Sequence, residues 1–236
     1  MTPPGIGERL TDQSQERRGG GHGRRDDETV ELSNLHRQIL HTMRDLGRPK
    51  SQSAKHRLEA LNPEVAVIPI QDRLTSANAR ELLAGYDLVL DGSDNFPTRY
   101  LVNDACVLLN KPLVHGGIVR FEGQAMTILP KQGPCFRCVF PEPPDRETIP
   151  SCQQAGVLGS VAGVIGSLMA QEILKLILGL GDVLVGRLLV FDGLSSRFRE
   201  VPIRRNPECS VCGDHPTIHT RLEETQVCGD LDGARN

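Results

Sequence analysis

The chain is 236 residues long and carries a net charge of −3, which suits one large α/β domain with at most a small appendage. Because Lys and Arg do not outnumber Asp and Glu, the composition excludes a broad nucleic-acid-binding surface. With six Phe, two Tyr and no Trp, the core is expected to be mainly aliphatic.

Residues 1–25 differ from the rest of the chain, since they are rich in Gly, Pro and Arg and follow neither a helical nor a strand period. We predict that they are disordered. They contain no apolar segment of the kind found in signal peptides. The longest uncharged apolar stretch, residues 155–170, is too short to cross a bilayer. The sequence therefore predicts a cytoplasmic protein without a membrane partner.

From residue 26 onward, short apolar runs alternate with helical periods. This alternation predicts a mostly parallel sheet with helices on both faces. A hairpin at Ile118–Leu129, turning at Glu122–Gly123, and the last two predicted strands form an antiparallel portion. The predicted helices are Ser51–Leu61, Ser76–Ala84, Phe96–Leu109 and Gly156–Leu178. The other predicted strands are Val65–Ile70, Tyr86–Leu90, Leu113–Val114 (ended by Gly116–Gly117), Leu188–Phe191 and Phe198–Ile203.

The segment Asp91–Asn95 lies between a predicted buried strand and a predicted helix. In open α/β sheets, ligands bind outside the carboxyl ends of strands, and Mg²⁺ is commonly held by one or two carboxylates plus substrate phosphates. Asp91 and Asp94 therefore predict a magnesium site. A second interpretation is that Asp91 ends the strand and Ser93 or Asp94 caps the helix.

Two Cys-x-x-Cys pairs, Cys135 with Cys138 and Cys209 with Cys212, stand beside Gly or Pro turns. Seven Cys in a cytoplasmic chain indicate metal binding or reactivity rather than a disulfide framework. Four thiolates are the ligand set of a structural Zn²⁺ site, and this interpretation is favoured over a redox pair.

Several further residues carry weaker signals. Cys152 precedes the longest predicted helix, where a lowered pKa makes a thiol more nucleophilic, although a lone loop cysteine is also compatible with no function. Arg37, Lys50 and Arg120 are candidate phosphate ligands that could equally be ordinary surface cations.

Taken together, the motifs follow a recognisable order. The ordered motifs are Val30–Gln38, Gly47–Lys50, Asp91–Asn95 with Thr98–Tyr100, Asn103–Cys106, Arg120–Gln124, Gly133–Cys138, Gly156–Gly159 and Cys209–Gly213. This order closely resembles the ThiF/MoeB/HesA family, the E1-like adenylyltransferases that activate sulfur-carrier proteins. The resemblance covers residues 26–229, which we predict to be one domain followed by a short tail at 230–236.

The resemblance implies a Rossmann-like fold and a specific reaction. The C-terminal glycine of a small ubiquitin-like sulfur-carrier protein would attack the α-phosphate of ATP, releasing pyrophosphate. Asp94 would coordinate Mg²⁺ with help from Asp91, and the four paired cysteines would hold Zn²⁺. A homodimer and a separate sulfur donor are also implied. The nucleotide-binding residues implied by the family are Asp26 at the ribose, with Asn34, Arg37, Gln38, Lys50 and Asn95 toward the phosphates.

Cys152 matches the crossover-loop cysteine that some relatives link covalently to the carrier. Its use in this chain is left open by the resemblance, because relatives of the MoeB type do not all need it.

One departure from the family concerns the start of the chain. Relatives carry a strand, a Gly-x-Gly-x-x-Gly turn and a helix before the position of Asp26, and residues 1–25 do not supply them. We therefore expect the first β-α-β unit to be missing, as in a truncated or mis-started chain. A non-catalytic carrier-binding protein is thus an alternative to the enzyme. An NAD-dependent dehydrogenase would need the same Gly-rich turn and would not explain the cysteines.

Overall fold

The computed structural model describes residues 29–143 and 156–219. The strands in these ranges are β1 (Val89–Asp91), β2 (Leu113–Val119), β3 (Glu122–Ile128), β4 (Arg187–Asp192) and β5 (Arg197–Pro202). The helices are α1 (Lys50–Leu61), α2 (Ala79–Ala84), α3 (Phe96–Leu109), α4 (Phe136–Val139) and α5 (Gly159–Leu178), with 3-10 turns at Leu32–Asn34 and Met43–Asp45.

The five strands form one sheet in the order β1-β2-β3-β4-β5. β1 and β2 pair in parallel, whereas each later pair is antiparallel. Within the described ranges the sheet is therefore mixed, and the prediction of a mostly parallel sheet is wrong for this part of the chain. The predicted antiparallel portion is confirmed.

Helices cover both faces of the sheet, as predicted. Leu113 of β2 packs in a cluster with Tyr100 and Cys106 of α3. The next residue, Val114, packs on the opposite side with Val161 and Ile165 of α5. Because successive strand residues point to opposite faces, α3 and α5 lie on opposite sides of β2.

Helix α3 has the bounds that the sequence predicts. Asn95 is its N-cap and accepts a hydrogen bond from the Thr98 N–H at 3.0 Å, and Pro97 occupies the first turn, where a missing N–H carries no cost. Asn110, at φ +53°, ends the helix, and its N–H bonds to the Cys106 and Val107 carbonyls. The cap is thus Asn95, which leaves Ser93 and Asp94 outside the capping role.

The predicted strand at Val65–Ile70 is absent from the sheet. Strands require a partner for their backbone groups, and β1 is the last strand on this side among the residues described. The segment is instead held by the Lys55 ammonium, which donates to the Val67 carbonyl at 2.8 Å.

Two details of the β2–β3 hairpin also differ from prediction. Gly116 does not end the strand, because β2 continues through it to Val119. A Cβ at Gly116 would collide with the Met169 side chain of α5, so the glycine is needed for helix packing. The turn lies at Arg120–Phe121, two residues before the predicted position, with Arg120 at φ +53°.

Helix α5 is anchored to the sheet by a buried carboxylate. Glu172 is 3% exposed and accepts hydrogen bonds from the Thr127 hydroxyl at 2.6 Å and the Leu184 N–H at 2.7 Å. Lys175 forms an ion pair with it. In length and composition α5 could cross a membrane, yet its buried face packs on β2 and β3, as in the core helix of an α/β domain.

Candidate functional site

The four paired cysteines meet at one point. Their sulfur atoms all lie within 4.8 Å of one another. The Sγ atoms of Cys135 and Cys209 are 3.6 Å apart, and those of Cys138 and Cys212 are 3.3 Å apart. A tetrahedral Zn²⁺ site with bonds of about 2.3 Å places its sulfurs about 3.8 Å apart. The predicted assembly of these cysteines is confirmed, and its geometry fits zinc.

The four thiols differ in acidity. Hydrogen bonds among their sulfurs, chiefly that with Cys135, lower the pKa of Cys138 to about 6 and lower that of Cys209, whereas the pKa values of Cys135 and Cys212 are raised. The thiolate is the form that binds metal. The backbone N–H of Asn206 also points at the Cys138 sulfur, at 3.4 Å. Two separate redox pairs would not require four sulfurs from distant segments to converge.

Helix α3 holds the first cysteine pair through buried polar contacts. The Asn103 side-chain carbonyl accepts from the Phe136 N–H at 2.9 Å. Asp104, which is 1% exposed, receives two hydrogen bonds from the Arg137 guanidinium at 2.8 and 2.7 Å. This two-point geometry fixes orientation as well as charge, so α4 cannot rotate freely against α3.

An aromatic cluster fills the space between α3 and the cysteines. The Phe136 ring contacts the rings of Tyr100, His115 and Phe140 at centroid distances of 5.2, 4.8 and 5.0 Å. The Tyr100 hydroxyl donates to the Phe140 carbonyl at 2.9 Å. Three of the eight Phe and Tyr residues of the chain meet here, and a second pair, Phe191 and Phe198, stacks at a centroid distance of 4.6 Å.

The carboxyl end of β1 carries the predicted magnesium loop. Asp91 is 5% exposed, and both of its carboxylate oxygens are engaged. Oδ2 lies 2.8 Å from Nδ1 of His115 on the neighbouring strand, and Oδ1 accepts from the Ser93 N–H at 2.9 Å. Burial alone would raise the pKa of Asp91, but the hydrogen bonds from His115 and Ser93 outweigh it and leave the pKa below its ordinary value.

Asp94 occupies a different environment from Asp91. It is exposed, and it lies between Ser93, which is tied to Asp91, and Asn95, which caps α3. Its carboxylate therefore stands at the sheet edge where ligands of α/β proteins bind. This geometry suits Asp94 as a metal ligand and Asp91 as its support. The predicted metal role of each remains a prediction.

The segment before α1 folds back on itself and brings the predicted phosphate residues together. The Val30 N–H donates to the Arg48 carbonyl at 2.8 Å, and the Gly47 N–H donates to the Val30 carbonyl at 2.9 Å. The loop closed in this way contains Asn34, Arg37 and Gln38, and Lys50 follows it as the first residue of α1. Lys50 is 5% exposed, which is unusual for a lysine on a surface helix.

This loop, the β2–β3 turn and the start of α5 are in contact. The Arg120 N–H donates to the Gly156 carbonyl at 3.1 Å, and the Leu158 N–H donates to the Arg120 carbonyl at 3.0 Å. His36 Nε2 lies 3.2 Å from the Val157 carbonyl, and a Cβ at Gly159 would collide with the His36 carbonyl. We call residues 30–50 the phosphate loop. Arg120 and the phosphate loop therefore both border the N-terminal end of α5.

Five buried side-chain polar atoms in the loop before α1, the first turn of α1, the Asp91–Asn95 loop and β2 have no hydrogen-bond partner within residues 29–143 and 156–219. Unsatisfied buried polar atoms are costly, and a native protein commonly places them where a ligand, water or another segment completes them. The group comprises Asn34 Oδ1, Gln38 Oε1, Ser51 Oγ, Ser93 Oγ and His115 Nε2.

Asp26 and Cys152, two of the predicted site residues, lie outside the described ranges. Two residues that sequence reasoning missed are His115, which supports Asp91, and Arg99, whose guanidinium contacts the Asp91–Asn95 loop. The only sequence signal for His115 is its place on the strand next to β1. In the sequence, Arg99 stands out only because it belongs to the Thr98–Tyr100 motif.

Comparison with known proteins assigns the chain to a family. Residues 25–211 match the ThiF family. The chain belongs to the ThiF family. It is 54% identical over 205 residues to the sulfur carrier protein adenylyltransferase of Thermus thermophilus, which covers 85% of this chain and 76% of that protein. It is 50% identical over 189 residues to the SAMP-activating enzyme E1 of Haloferax volcanii, which covers 80% of this chain and 70% of that protein.

Longer members of the ThiF family also match. Adenylyltransferase and sulfurtransferase MOCS3 of Aedes aegypti is 47% identical over 214 residues, which cover 89% of this chain but 49% of that protein. The chain thus spans about half the length of that relative.

Solved structures of E. coli MccB share the fold. The complex with AMPCPP and MccA has a TM-score of 0.70 at 23% identity, covering 79% of this chain and 57% of that chain. The ATP complex has a TM-score of 0.68 at 22% identity, covering 78% and 57%. This likeness confirms the predicted Rossmann-like α/β fold.

Proposed function

We propose that the chain activates a small ubiquitin-like sulfur-carrier protein by adenylating the carboxylate of its C-terminal glycine with ATP. A carboxylate oxygen bonds to the α-phosphorus while the bond from that phosphorus to the pyrophosphate oxygen breaks. The products are the acyl-adenylate and pyrophosphate. The adenylyltransferase and E1 relatives, aligned over most of this chain, support the proposal.

The observation that carries the proposal within the chain is the buried Ser51 hydroxyl beside Lys50, whose Oγ has no hydrogen-bond partner within the described residues. Ser51 Oγ belongs to a residue that is 4% exposed and lies in the first turn of α1. A helix N-terminus attracts anions through its free N–H groups and its dipole. Lys50 adds a full positive charge at the same point, so a phosphate chain would satisfy this end of α1.

Each side chain has a role in this proposal. Lys50 and Arg37 bind the phosphates and offset the charge that develops on pyrophosphate, while the side-chain NH2 groups of Asn34 and Gln38 donate to phosphate oxygens. Positioning and charge stabilisation are the main protein contributions to such transfers. Asn95 holds the loop that presents Asp94. Mg²⁺, when bound at Asp94, would neutralise phosphate charge.

Zinc is assigned a structural role. All four ligands would come from the protein, so no coordination position remains open for catalysis. Cys135 and Cys138 follow β3, whereas Cys209 and Cys212 follow β5. The ion would thus join two segments that lie far apart in the sequence.

We further propose that the chain acts as a homodimer and receives sulfur from a separate donor. The outward face of α5 is a shallow groove lined by Ser160, Gly163, Val164, Ser167, Leu168 and Gln171. Leu174 and Leu178 extend this apolar face and are 51% and 62% exposed, and a second copy of the chain would cover it. Sedimentation of monomers alone at tens of micromolar, where specific interfaces persist, would contradict the dimer.

A second candidate function is non-catalytic binding of a carrier or of a related chain. It is favoured by apolar side chains that are exposed in the segment before α1 and at the end of α1. Ile39, Met43 and Leu61 are 88%, 61% and 70% exposed in the described part of the chain. Exposed apolar surface of this kind marks a contact with another segment or protein.

The two candidates are separated by ATP–pyrophosphate exchange in the presence of purified ubiquitin-like carriers. We expect carrier-dependent exchange that falls by roughly a hundredfold or more in Asp94→Ala, the effect typical of losing a metal-site residue. Asp87→Ala is the matched control, since Asp87 is an exposed aspartate shortly before the same strand. Carrier binding without exchange would reject the enzyme in favour of the second candidate.

A further inference from the structure

Arg99 is a buried arginine with no acidic partner among residues 29–143 and 156–219. It is 7% exposed, and it forms no ion pair within the residues that the structure describes. Fully buried arginines are rare unless they are paired. Its guanidinium is instead committed to one backbone oxygen: Nε and Nη2 both donate to the Ser93 carbonyl, at 3.1 and 3.0 Å.

These two bonds complete the fixation of the Asp91–Asn95 loop. Asp91 accepts from the Ser93 N–H, and Asn95 is tied to the first turn of α3. Arg99 holds the other backbone polar group of Ser93, its carbonyl oxygen. Asp94 is the next residue, so the peptide plane that Arg99 binds fixes the backbone from which its exposed carboxylate extends.

Strand β2 leaves room for this arrangement. Its residues His115 and Gly117 point to the same face. His115 binds Asp91, whereas a Cβ at Gly117 would lie 3.3 Å from Nη1 and 3.4 Å from Nη2 of Arg99. Any larger residue at this position would press on the guanidinium. The Phe96 ring closes the other side, with its centroid 5.1 Å from Arg99 Cζ.

We propose that Arg99 is a positioning residue for the adenylation reaction, holding the Ser93–Asp94 peptide so that the Asp94 carboxylate faces the metal. This inference rests on the proposed function for its consequence in catalysis. The contact by which Arg99 holds the Asp91–Asn95 loop does not depend on the proposed function, and it can be tested without measuring enzyme activity.

The first test is amide hydrogen exchange of the zinc-loaded chain, measured by mass spectrometry on peptides that cover Asp91–Thr98. In Arg99→Met we expect exchange of the Ser93 amide to rise about tenfold or more, the loss typical of hydrogen bonds from a charged donor. Arg187→Met is the matched control, because Arg187 also donates to a backbone carbonyl, that of Val183 at 3.0 Å, but on β4. It should leave the Asp91–Thr98 peptides unchanged.

Gly117→Ala provides a second variant that retains the arginine. Its new Cβ would lie 3.3 Å from Nη1, so the guanidinium has to shift by a few tenths of an ångström. This variant should raise exchange in the same peptides by a smaller factor, with full zinc content. Unchanged exchange in folded, zinc-loaded Arg99→Met, or in Gly117→Ala if Arg99→Met does not fold, would overturn the proposal.

The second test is the Mg²⁺ dependence of carrier-dependent pyrophosphate exchange. In Arg99→Met we expect the half-saturating Mg²⁺ concentration to rise about tenfold, as when a group supporting a metal ligand is lost, with the KM for the carrier unchanged. Arg99→Lys should recover part of the loss, because one ammonium can still donate to the Ser93 carbonyl. A uniform fall in rate at every Mg²⁺ concentration would contradict positioning. If the wild-type chain lacks exchange, the proposed function fails while the amide exchange still decides the clamp.

Discussion

The cysteine-linked half of the molecule comprises α3, α4 and the two Cys-x-x-Cys turns. It differs from the phosphate loop in how its buried polar groups find hydrogen-bond partners. Around α4 the buried polar groups satisfy one another: Asn103 binds the Phe136 backbone, and Asp104 binds Arg137. Around the phosphate loop, Asn34, Gln38 and Ser51 each keep a buried atom without a hydrogen-bond partner in the described part of the chain. From residue 133 to the end of the described part, no buried side-chain atom is left in that state.

The difference shows which part of the chain is structurally self-sufficient. Around α4 and the four cysteines, a metal ion is the main missing contact, since the described side chains there satisfy one another. The phosphate loop needs a ligand or another segment, since each unsatisfied buried group costs about 1–3 kcal/mol. A binding site is the usual place for such a cost.

The largest effect is expected from removing a zinc ligand. Cys209→Ser should abolish stoichiometric zinc and lower the free energy of unfolding by several kcal/mol, because structural zinc contributes about 10–16 kcal/mol of binding free energy in small domains. Zinc analysis by mass spectrometry and chemical denaturation measure both effects. Cys106→Ala is the control: this thiol is buried in an apolar cluster, and its loss should cost about 1 kcal/mol and no zinc. Full zinc content in Cys209→Ser would contradict the site.

The next effect concerns the buried carboxylate of α5. Glu172→Ala removes the acceptor for the Thr127 hydroxyl and the Leu184 N–H. We expect a loss of about 3 kcal/mol or more in the free energy of unfolding, since buried donors are left unsatisfied. Glu200→Ala, which breaks the exposed pair with Arg187, should cost under about 1 kcal/mol. Equal losses in the two variants would contradict the burial argument.

The phosphate loop should gain stability from nucleotide. Saturating Mg-ATP is expected to raise the thermal midpoint of the wild-type chain, because a ligand at a hundred times its Kd adds about 2.7 kcal/mol. Lys50→Met should remove most of this gain by deleting the buried charge at the start of α1. Lys111→Met is the control on a different loop, after α3. Nucleotide stabilisation that survives in Lys50→Met would place the phosphates elsewhere.

The smallest effect is the acid dependence of Asp91. Its pKa in the folded chain lies below the ordinary value of 3.8, so its contribution to stability is present above that pH and is lost as pH falls through the lower folded value. Asp91→Asn should therefore flatten the acid limb of the unfolding free energy below about pH 4. Denaturant titrations at several acidic pH values measure this slope, with Asp87→Asn as the control. An unchanged slope would show that the buried carboxylate is not charged there.

Local patterns were sufficient for much of the fold. The bounds of α3 follow from its own cap and first-turn residues, Asn95 and Pro97, and the two Cys-x-x-Cys turns identify their own chemistry. The α/β alternation also indicated helices on both faces of the sheet.

The rest depended on contacts between distant segments. Val65–Ile70 has strand character but no neighbouring strand in the described residues, and Gly116 lies inside β2 because Met169 of α5 packs against it. For the site, sequence order placed Asp94 after a strand. The support of Asp91 by His115 required the parallel register of β1 and β2, which no local pattern encodes.

The central claim is that this chain transfers AMP to the C-terminal carboxylate of a ubiquitin-like carrier. The most direct measurement is the intact mass of purified carriers after incubation with the zinc-loaded chain and Mg-ATP. We predict that the mass of a carrier increases by one AMP moiety and that added pyrophosphate reverses this increase. A carrier whose terminal glycine is deleted should not form the adduct. A folded, zinc-loaded chain that binds a carrier but never yields the adduct would contradict the claim.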